Sequence, residues 1–324
     1  MNDRMDIDQL ISHVEQTSKL YIIHPNSSEL RIFGGGKLFA SSMLPGEYSS
    51  TIFDISQDCL NQIAYTYGIP GSYISKLQTA QAARLLDTNV NYWMNEKDHT
   101  RMLRIHESAP GLDKPLLRAY LSDRYARRDH SEFFQKLFPM IHDSNLDADV
   151  LLCGLSPKFM SIKILYRGFS FEGPDGHELF LGLFFRNSET GHGSTLIEPF
   201  LYRSYCKNGL ILGYDCLANV SKTHVGRVWE QVGLLNKDDG QDELFWGKAK
   251  LMFEQIVNND TLEEIKAKLK VVADIEIKDR ESALASATLK MGLTKKERKR
   301  AMEFWQVNDL SVWGLINSLT AMAH

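Results

Sequence analysis

Apolar and polar residues alternate through the middle of the chain in the pattern of half-buried β-strands. Between Met160 and Tyr166 every second residue is apolar, whereas Lys163 and Arg167 belong to the opposite set. Because successive side chains of a strand point to opposite faces, this strand is predicted to have one apolar and one partly basic face. The same reasoning predicts strands at 102–106, 116–122, 148–155, 179–186 and 196–207. Together they are expected to form a mostly antiparallel sheet meander.

Helical spacing of apolar residues flanks and interrupts these strands. It occurs in the segments 5–19, 55–94, 129–144 and 242–324. Pro70 and Gly71 break the second segment, and Ser56 or Asp58 is suited to cap its first helix. A meander with an inserted helix, covered by N-terminal and C-terminal helices, predicts an α+β fold. We divide the chain into an N-terminal helix and irregular segment (1–52), an α+β core (53–227) and a C-terminal helical region (228–324).

Composition places this fold in an ordinary globular protein. Of 324 residues, 43% are hydrophobic and 24% charged, which is enough apolar material for a large core. No apolar run approaches the roughly 20 residues of a membrane helix, and the N-terminus lacks the apolar centre of a secretory signal. We therefore expect a cytoplasmic protein without a membrane partner, whose four cysteines stay reduced. Cys206, Cys216 and His224 do not have zinc-ligand spacing, so no metal or other cofactor is predicted.

Motifs of known enzyme classes are not found in the sequence. The Gly-rich stretch at 34–37 lacks the spacing of a phosphate loop, and a turn is predicted there. The segment 186–194 is more distinctive, since seven of its nine side chains can form hydrogen bonds and two glycines permit tight turns. It is interpreted as either a binding loop or a plain hairpin connection. The first interpretation leaves open an enzyme with a site near 186–208.

Positive charge is concentrated in part of the chain, although the net charge is -4. Residues 97–128 contain 8 basic and 4 acidic residues. If the predicted strands share one sheet, their basic side chains project from one face together with two tyrosines. Arginine and lysine would then contact phosphates, while tyrosines stack on bases. The candidate nucleic-acid-binding residues are Arg104, Arg118, Tyr120, Arg124, Arg127, Arg128, Lys163, Arg167, Arg186, Arg203, Tyr205 and Lys207.

The C-terminal region contains a second basic run. Residues Lys295–Arg300 read KKERKR, which can bind phosphates but is more often a solvated helix face. Thr294 with Glu297, and Thr261 with Glu264, fit the capping-box pattern and predict two helix starts.

Several stretches resemble a known family. They are LDTNVNYWM (86–94), LLRAYLSDRYARRDHSEFFQKLFPMI (116–141), RNSETGHGSTLIEPFLYRSYCKNGLI (186–211) and VWGLINSLTAMAH (312–324). In these residues the chain is similar, from about position 50 onward, to the phage- and plasmid-borne family called domain of unknown function 932. The resemblance implies a mobile-element origin and a bacterial cytoplasmic setting. It implies no activity and no catalytic residue.

Three hypotheses follow for the function. The leading one is a non-enzymatic protein that binds nucleic acid, handling or annealing single-stranded DNA in phage or plasmid recombination or replication. A strand meander backed by helices is similar in outline to eukaryotic single-strand annealing proteins, which would also imply a homo-oligomer. The alternatives are an interaction protein that blocks or recruits a host factor, and the enzyme near 186–208.

Overall fold

The described part of the chain forms two β-sheets, each with its own apolar core and covered by helices. A computed structural model describes residues 4–5, 7–17, 20–41, 51–77, 82–106, 115–125, 127–143, 147–203, 208–211, 220–222, 240–256, 258–290, 293–305 and 310–320. The α+β fold class is confirmed, because helices before and after the strands flank sheets that are antiparallel in all but one pairing.

The first sheet, here called the meander sheet, contains the strands predicted from 148 onward. Its order is β1-β8-β9-β10-β11-β12, with β13 also paired to β11, and every pairing is antiparallel. The strands are β1 (Arg4–Met5), β8 (Ala148–Leu155), β9 (Met160–Glu172), β10 (Glu178–Asn187), β11 (Thr195–Arg203), β12 (Asn208–Ile211) and β13 (Val220–Lys222).

The second sheet, here called the N-terminal sheet, was not predicted as a separate unit. Its order is β2-β6-β7-β5-β4-β3, and β5 pairs with β7 in parallel. The strands are β2 (Leu20–Ile23), β3 (Leu30–Phe33), β4 (Lys37–Ala40), β5 (Thr51–Ile55), β6 (Arg101–His106) and β7 (Leu116–Ser122). The prediction of one sheet was wrong on this point, because β6 and β7 pair with strands from the N-terminal segment.

Helices cover both sheets. They are α1 (Ile7–Thr17), α2 (Gln57–Thr66), α3 (Gly71–Leu77), α4 (Ala83–Glu96), α5 (His130–Asp143), α6 (Gly240–Ile256), α7 (Asn259–Asp274), α8 (Arg280–Lys290), α9 (Lys295–Trp305) and α10 (Val312–Thr320). Among the described residues, none of the helices is both long and apolar enough to cross a membrane.

Helix starts follow the predicted capping chemistry in two of three cases. Ser56 caps α2 by accepting a hydrogen bond from the Cys59 amide at 3.2 Å. The Thr294–Glu297 capping box at the start of α9 is also confirmed. The Thr261 prediction was wrong, because Asn258 caps α7 one turn earlier.

Two cores hold these layers together. On the meander sheet, the predicted inward residues from Met160 to Tyr166 are buried against α1, α5, α6 and α10. On the N-terminal sheet, α2, α3 and α4 cover a second core that includes the free, buried Cys59. Cys153 is free and buried in the first core. Cys206, Cys216 and His224 lie outside the described residues.

The glycine turn at 34–37 has a clear structural role. Gly34 and Gly35 have φ angles of 60° and 77°, a region that glycine adopts without strain. Their amides donate hydrogen bonds to the Asp87 carboxylate on α4 at 3.0 and 3.3 Å. The prediction of a turn is confirmed. The turn joins β3 to β4, and its hydrogen bonds connect α4 to this edge of the N-terminal sheet.

Candidate functional site

Polar and charged groups fill the region where the two sheets meet, which we call the junction. It is built from β6, β7, the segment 127–130 at the start of α5, and the connection 187–195 between β10 and β11. Gln62 on α2 links both sides, because its amide donates to the Thr190 carbonyl and its Oε1 accepts from the Tyr120 amide at 3.0 Å. Tyr125 adds a hydroxyl bond to the Ser188 carbonyl at 3.1 Å.

The connection 187–195 is packed into the protein. The four residues Asn187–Thr190 are at most 5% exposed. The Ser188 hydroxyl accepts from the His192 amide at 3.1 Å, and Thr190 Oγ1 donates to the Pro157 carbonyl at 3.2 Å. These polar groups are used in holding the connection itself, as in a structural turn. The enzyme hypothesis therefore gains nothing from this loop and stays a prediction.

His130 is a buried neutral base at the first position of α5. Asn187 Nδ2 donates to its Nδ1 at 3.0 Å, and the amide orientation is fixed because Nδ2 also donates to the Arg128 carbonyl at 3.2 Å. The ring proton is therefore on Nε2. Burial, helped by the nearby charges of Arg118 and Arg104, lowers the pKa of His130 to about 4.

Glu189 occupies the amino end of α5. Its Oε1 accepts from the His130 amide at 2.8 Å, and its Oε2 accepts from Arg118 at 3.2 Å. Burial alone would raise the pKa of this carboxyl, but the charges of Arg104 and Arg118 and the hydrogen bond from the His130 amide hold it below its usual value. A carboxylate at a helix amino end is also favoured by the helix dipole.

Asp129 is the second buried carboxylate of the junction. It is shared by Arg104 and Arg127, which both form ion pairs with it. Burial opposes ionisation, but the two guanidinium groups keep the pKa of Asp129 below the ordinary value. Arg104 is 1% exposed, and its Nε and one terminal nitrogen have no hydrogen-bond partner among the described residues. Two guanidinium groups thus share one carboxylate, and Glu189 and Glu132 supply further negative charge near them.

The structure corrects the prediction of one basic face in several places. Four of the candidates are buried, namely Arg104, Tyr120, Arg128 and Arg203. Both faces of β6 and β7 are covered near the junction, and the side chain of Arg203 points into the protein. Tyr120 bonds to the Tyr67 hydroxyl at 2.6 Å, so its ring is not available for stacking on a base.

Two of these buried arginines have structural partners. The guanidinium of Arg128 lies 5.7 Å from the centre of the Phe245 ring. Arg203 forms an ion pair with Asp175, which also accepts from the Trp313 indole at 3.2 Å. This contact ties β11 to α10 and explains why Arg203 is conformationally fixed inside the protein.

Lys163, Arg167 and Arg186 belong to the meander sheet, whereas Arg104 and Arg118 belong to the N-terminal sheet. Lys163 is partly buried, with its Nζ 5.8 Å from the ring centres of Phe184 and Phe200. The side chain of Arg167 is 62% exposed and forms an ion pair with Asp149. The guanidinium of Arg186 lies 5.0 Å from the Phe159 ring centre.

Three candidates remain at the solvent edge of the junction. Arg124 is exposed in the turn after β7, the Arg127 side chain is 52% exposed, and the Arg118 side chain is 17% exposed. Tyr205 and Lys207 lie outside the described residues. In the part of the chain that the structure describes, no three His, Cys, Asp or Glu side chains converge as a metal site would require.

Sequence reasoning missed His130 and the contacts by which Asp129, Asn187 and Glu189 organise the junction. The contacts that join these residues across the junction span 25 to 71 positions of the chain, so local spacing does not predict them. The available signals were the Arg-Arg-Asp-His sequence at 127–130, which begins five residues after the end of β7, and the polar character of 186–194.

Comparison with protein-family models, with curated proteins and with solved structures found no match for this chain.

Proposed function

We propose that this protein binds nucleic acid, with a preference for single strands, at the solvent edge of the junction. The observation that carries the proposal is the exposure of Arg118, Arg124 and Arg127 at the edge of the junction. There Arg127 shares the Asp129 carboxylate with buried Arg104. Arginine binds phosphate oxygens through two parallel hydrogen bonds, and this geometry suits a sugar–phosphate backbone.

The charge balance of the junction supports an anionic ligand. Arg104, Arg118 and Arg127 form ion pairs with the two buried carboxylates of Asp129 and Glu189. Glu132, which is exposed near Arg127, offsets part of the excess. A phosphate approaching Arg127 meets a guanidinium that shares its carboxylate with Arg104, and therefore a positive charge that is only partly neutralised.

The biological role follows from the sequence resemblance and is part of the proposal. A protein similar to domain of unknown function 932 would act in the bacterial cytoplasm, in recombination or replication of a phage or plasmid. Annealing of complementary single strands is the activity we favour, and it would fit a homo-oligomer.

The direct test compares single- and double-stranded oligonucleotides in fluorescence-anisotropy titrations at low salt. We expect the double variant Arg124→Ala/Arg127→Ala to weaken binding by about tenfold, since each phosphate contact contributes to affinity. Arg31→Ala/Arg84→Ala is the matched control, because it removes two exposed arginines outside the junction and should leave affinity within about twofold. A wild-type protein that binds neither oligonucleotide would refute the proposal.

A second candidate function is interaction with a host protein. The solvent face of α4 exposes Leu85, Tyr92 and Trp93 at 56%, 54% and 37%, and the two aromatic rings contact each other at 5.0 Å between centres. Exposed apolar groups of this size often mark a protein interface. If a host factor binds here, wild-type protein should retain it from bacterial lysate and the Tyr92→Ala/Trp93→Ala variant should not. Equal retention by both proteins would remove this candidate.

A further inference from the structure

The basic run Lys295–Arg300 forms the first half of α9 and is exposed to solvent. Its five cations are Lys295, Lys296, Arg298, Lys299 and Arg300, and all five are exposed. Among the described residues, one ion pair involves this group, between Lys299 and Glu303 at 3.9 Å. Both of its partners are well exposed, so solvent screens the pair strongly.

This arrangement is unfavourable for the helix itself. The amino end of a helix carries partial positive charge, and cations in the first turn are repelled by it. Residues three or four positions apart are neighbours on the surface of a helix. Lys295 is therefore next to Arg298 and Lys299, and Lys296 is next to Arg300, so like charges repel each other. Folding of α9 therefore gives no reason for this charge pattern.

The acid within the run offers limited compensation. Glu297 is held in the capping box, where its carboxylate accepts from the Thr294 amide at 2.7 Å and from the Thr294 hydroxyl at 2.6 Å. With one acid against five bases, the run keeps a net charge of about +4 at neutral pH.

The opposite face of α9 is fully used in packing. Ala301 and Trp305 are 0% exposed and pack with Leu284 and Leu319. A helix that binds a membrane surface needs a free apolar face to insert, and here that face is buried. The basic face therefore fits a charged backbone better than it fits a lipid surface.

We propose that the first two turns of α9 form a second phosphate-contacting surface for the nucleic acid bound by this protein. The inference rests on the proposed function and adds a surface outside the junction. The six residues span about 8 Å of helix axis. A duplex carries one negative charge per about 1.7 Å of its axis, and a single strand carries fewer charges over the same length. Several phosphates therefore come within reach of the five side chains.

The test uses the full chain with three charges removed, as Lys295→Gln/Lys296→Gln/Arg298→Gln. Glutamine has nearly the same helix propensity as lysine and arginine, so a change in Tm reflects the removal of charge and not a change in helix propensity. The control Lys248→Gln/Lys250→Gln/Lys278→Gln removes the same net charge from exposed positions outside α9.

We expect the α9 variant to bind single-stranded oligonucleotide at least about tenfold more weakly than wild type, with a salt slope lower by about 2, while the control stays within about twofold. Its Tm should equal or exceed that of wild type, because repulsion within the helix is relieved. Equal affinity of the α9 variant and the control overturns this inference, and wild-type binding then still supports the proposed function. A lower Tm, or wild-type binding to anionic vesicles that the α9 variant alone loses, also overturns it. Absence of wild-type oligonucleotide binding at low salt refutes the proposed function itself.

Discussion

Acidification should destabilise this protein through His130 before its carboxylates begin to titrate. Burial holds the pKa of His130 at about 4 in the folded state, against about 6.5 in an unfolded chain. Below about pH 6.5 the unfolded state therefore binds more protons than the folded state, and the free energy of unfolding falls. A difference of about 2.5 pKa units corresponds to about 3 kcal/mol once the pH is below 4, of which about 2 kcal/mol is lost by pH 5.

The carboxylates of the junction act in a lower pH window. The pKa values of Asp129 and Glu189 are depressed, so their stabilisation is present above the unfolded pKa of about 4 and is lost as pH falls further. Between pH 7 and pH 5 the effect of His130 is therefore separable from theirs.

The assay is urea unfolding at pH 7, 6 and 5, followed by far-UV circular dichroism. The variant His130→Asn keeps an acceptor near the Nδ1 position that bonds to Asn187, but it does not titrate. Its free energy of unfolding should fall by about 2 kcal/mol less than that of wild type between pH 7 and pH 5. His142→Asn, an exposed position on the same helix, is the control and should follow wild type. Parallel pH profiles for wild type and His130→Asn would show that His130 is not the buried neutral base described above.

Three further substitutions test other parts of the structure. Arg104→Met removes a buried guanidinium from Asp129 and should cost about 3 kcal/mol in chemical denaturation; a loss below about 1 kcal/mol would contradict the buried ion pair. Gly182→Ala would place a Cβ 2.3 Å from the Ile164 carbonyl oxygen and should cost about 2 kcal/mol or more, and an unchanged Tm would argue against this close strand contact. Thr294→Ala should destabilise by about 1 kcal/mol through loss of the α9 cap, measured by urea unfolding, and a neutral result would show that the cap contributes nothing.

The sequence predicted the meander sheet well because its strands carry a local signal. Alternation from Met160 to Tyr166 correctly identified the buried face of β9, and the bounds of β8 were predicted to the residue. It did not predict that β6 and β7 belong to another sheet. Strand partners are chosen by long-range packing, and the alternation within one strand does not encode them. The short strands at 20–40 had too few residues to reveal the second sheet.

The site was predicted in part for a similar reason. Arg118, Arg124 and Arg127 were identified from the density of positive charge, and they remain at the solvent edge. Arg104 was assigned to the same surface because its neighbours in β6 are apolar. It is buried instead, since Asp129, 25 residues later in the chain, returns as its partner. A one-dimensional charge count cannot distinguish a free arginine from one neutralised by a distant carboxylate.

The most direct test of the central claim is the salt dependence of oligonucleotide affinity for the unmodified protein. If phosphate contacts at the junction and α9 hold the nucleic acid, the logarithm of the association constant should fall linearly with the logarithm of salt concentration, with a slope of about -3 or steeper for single strands. Binding whose affinity does not change across the salt series, or no binding at the lowest salt, would contradict the account.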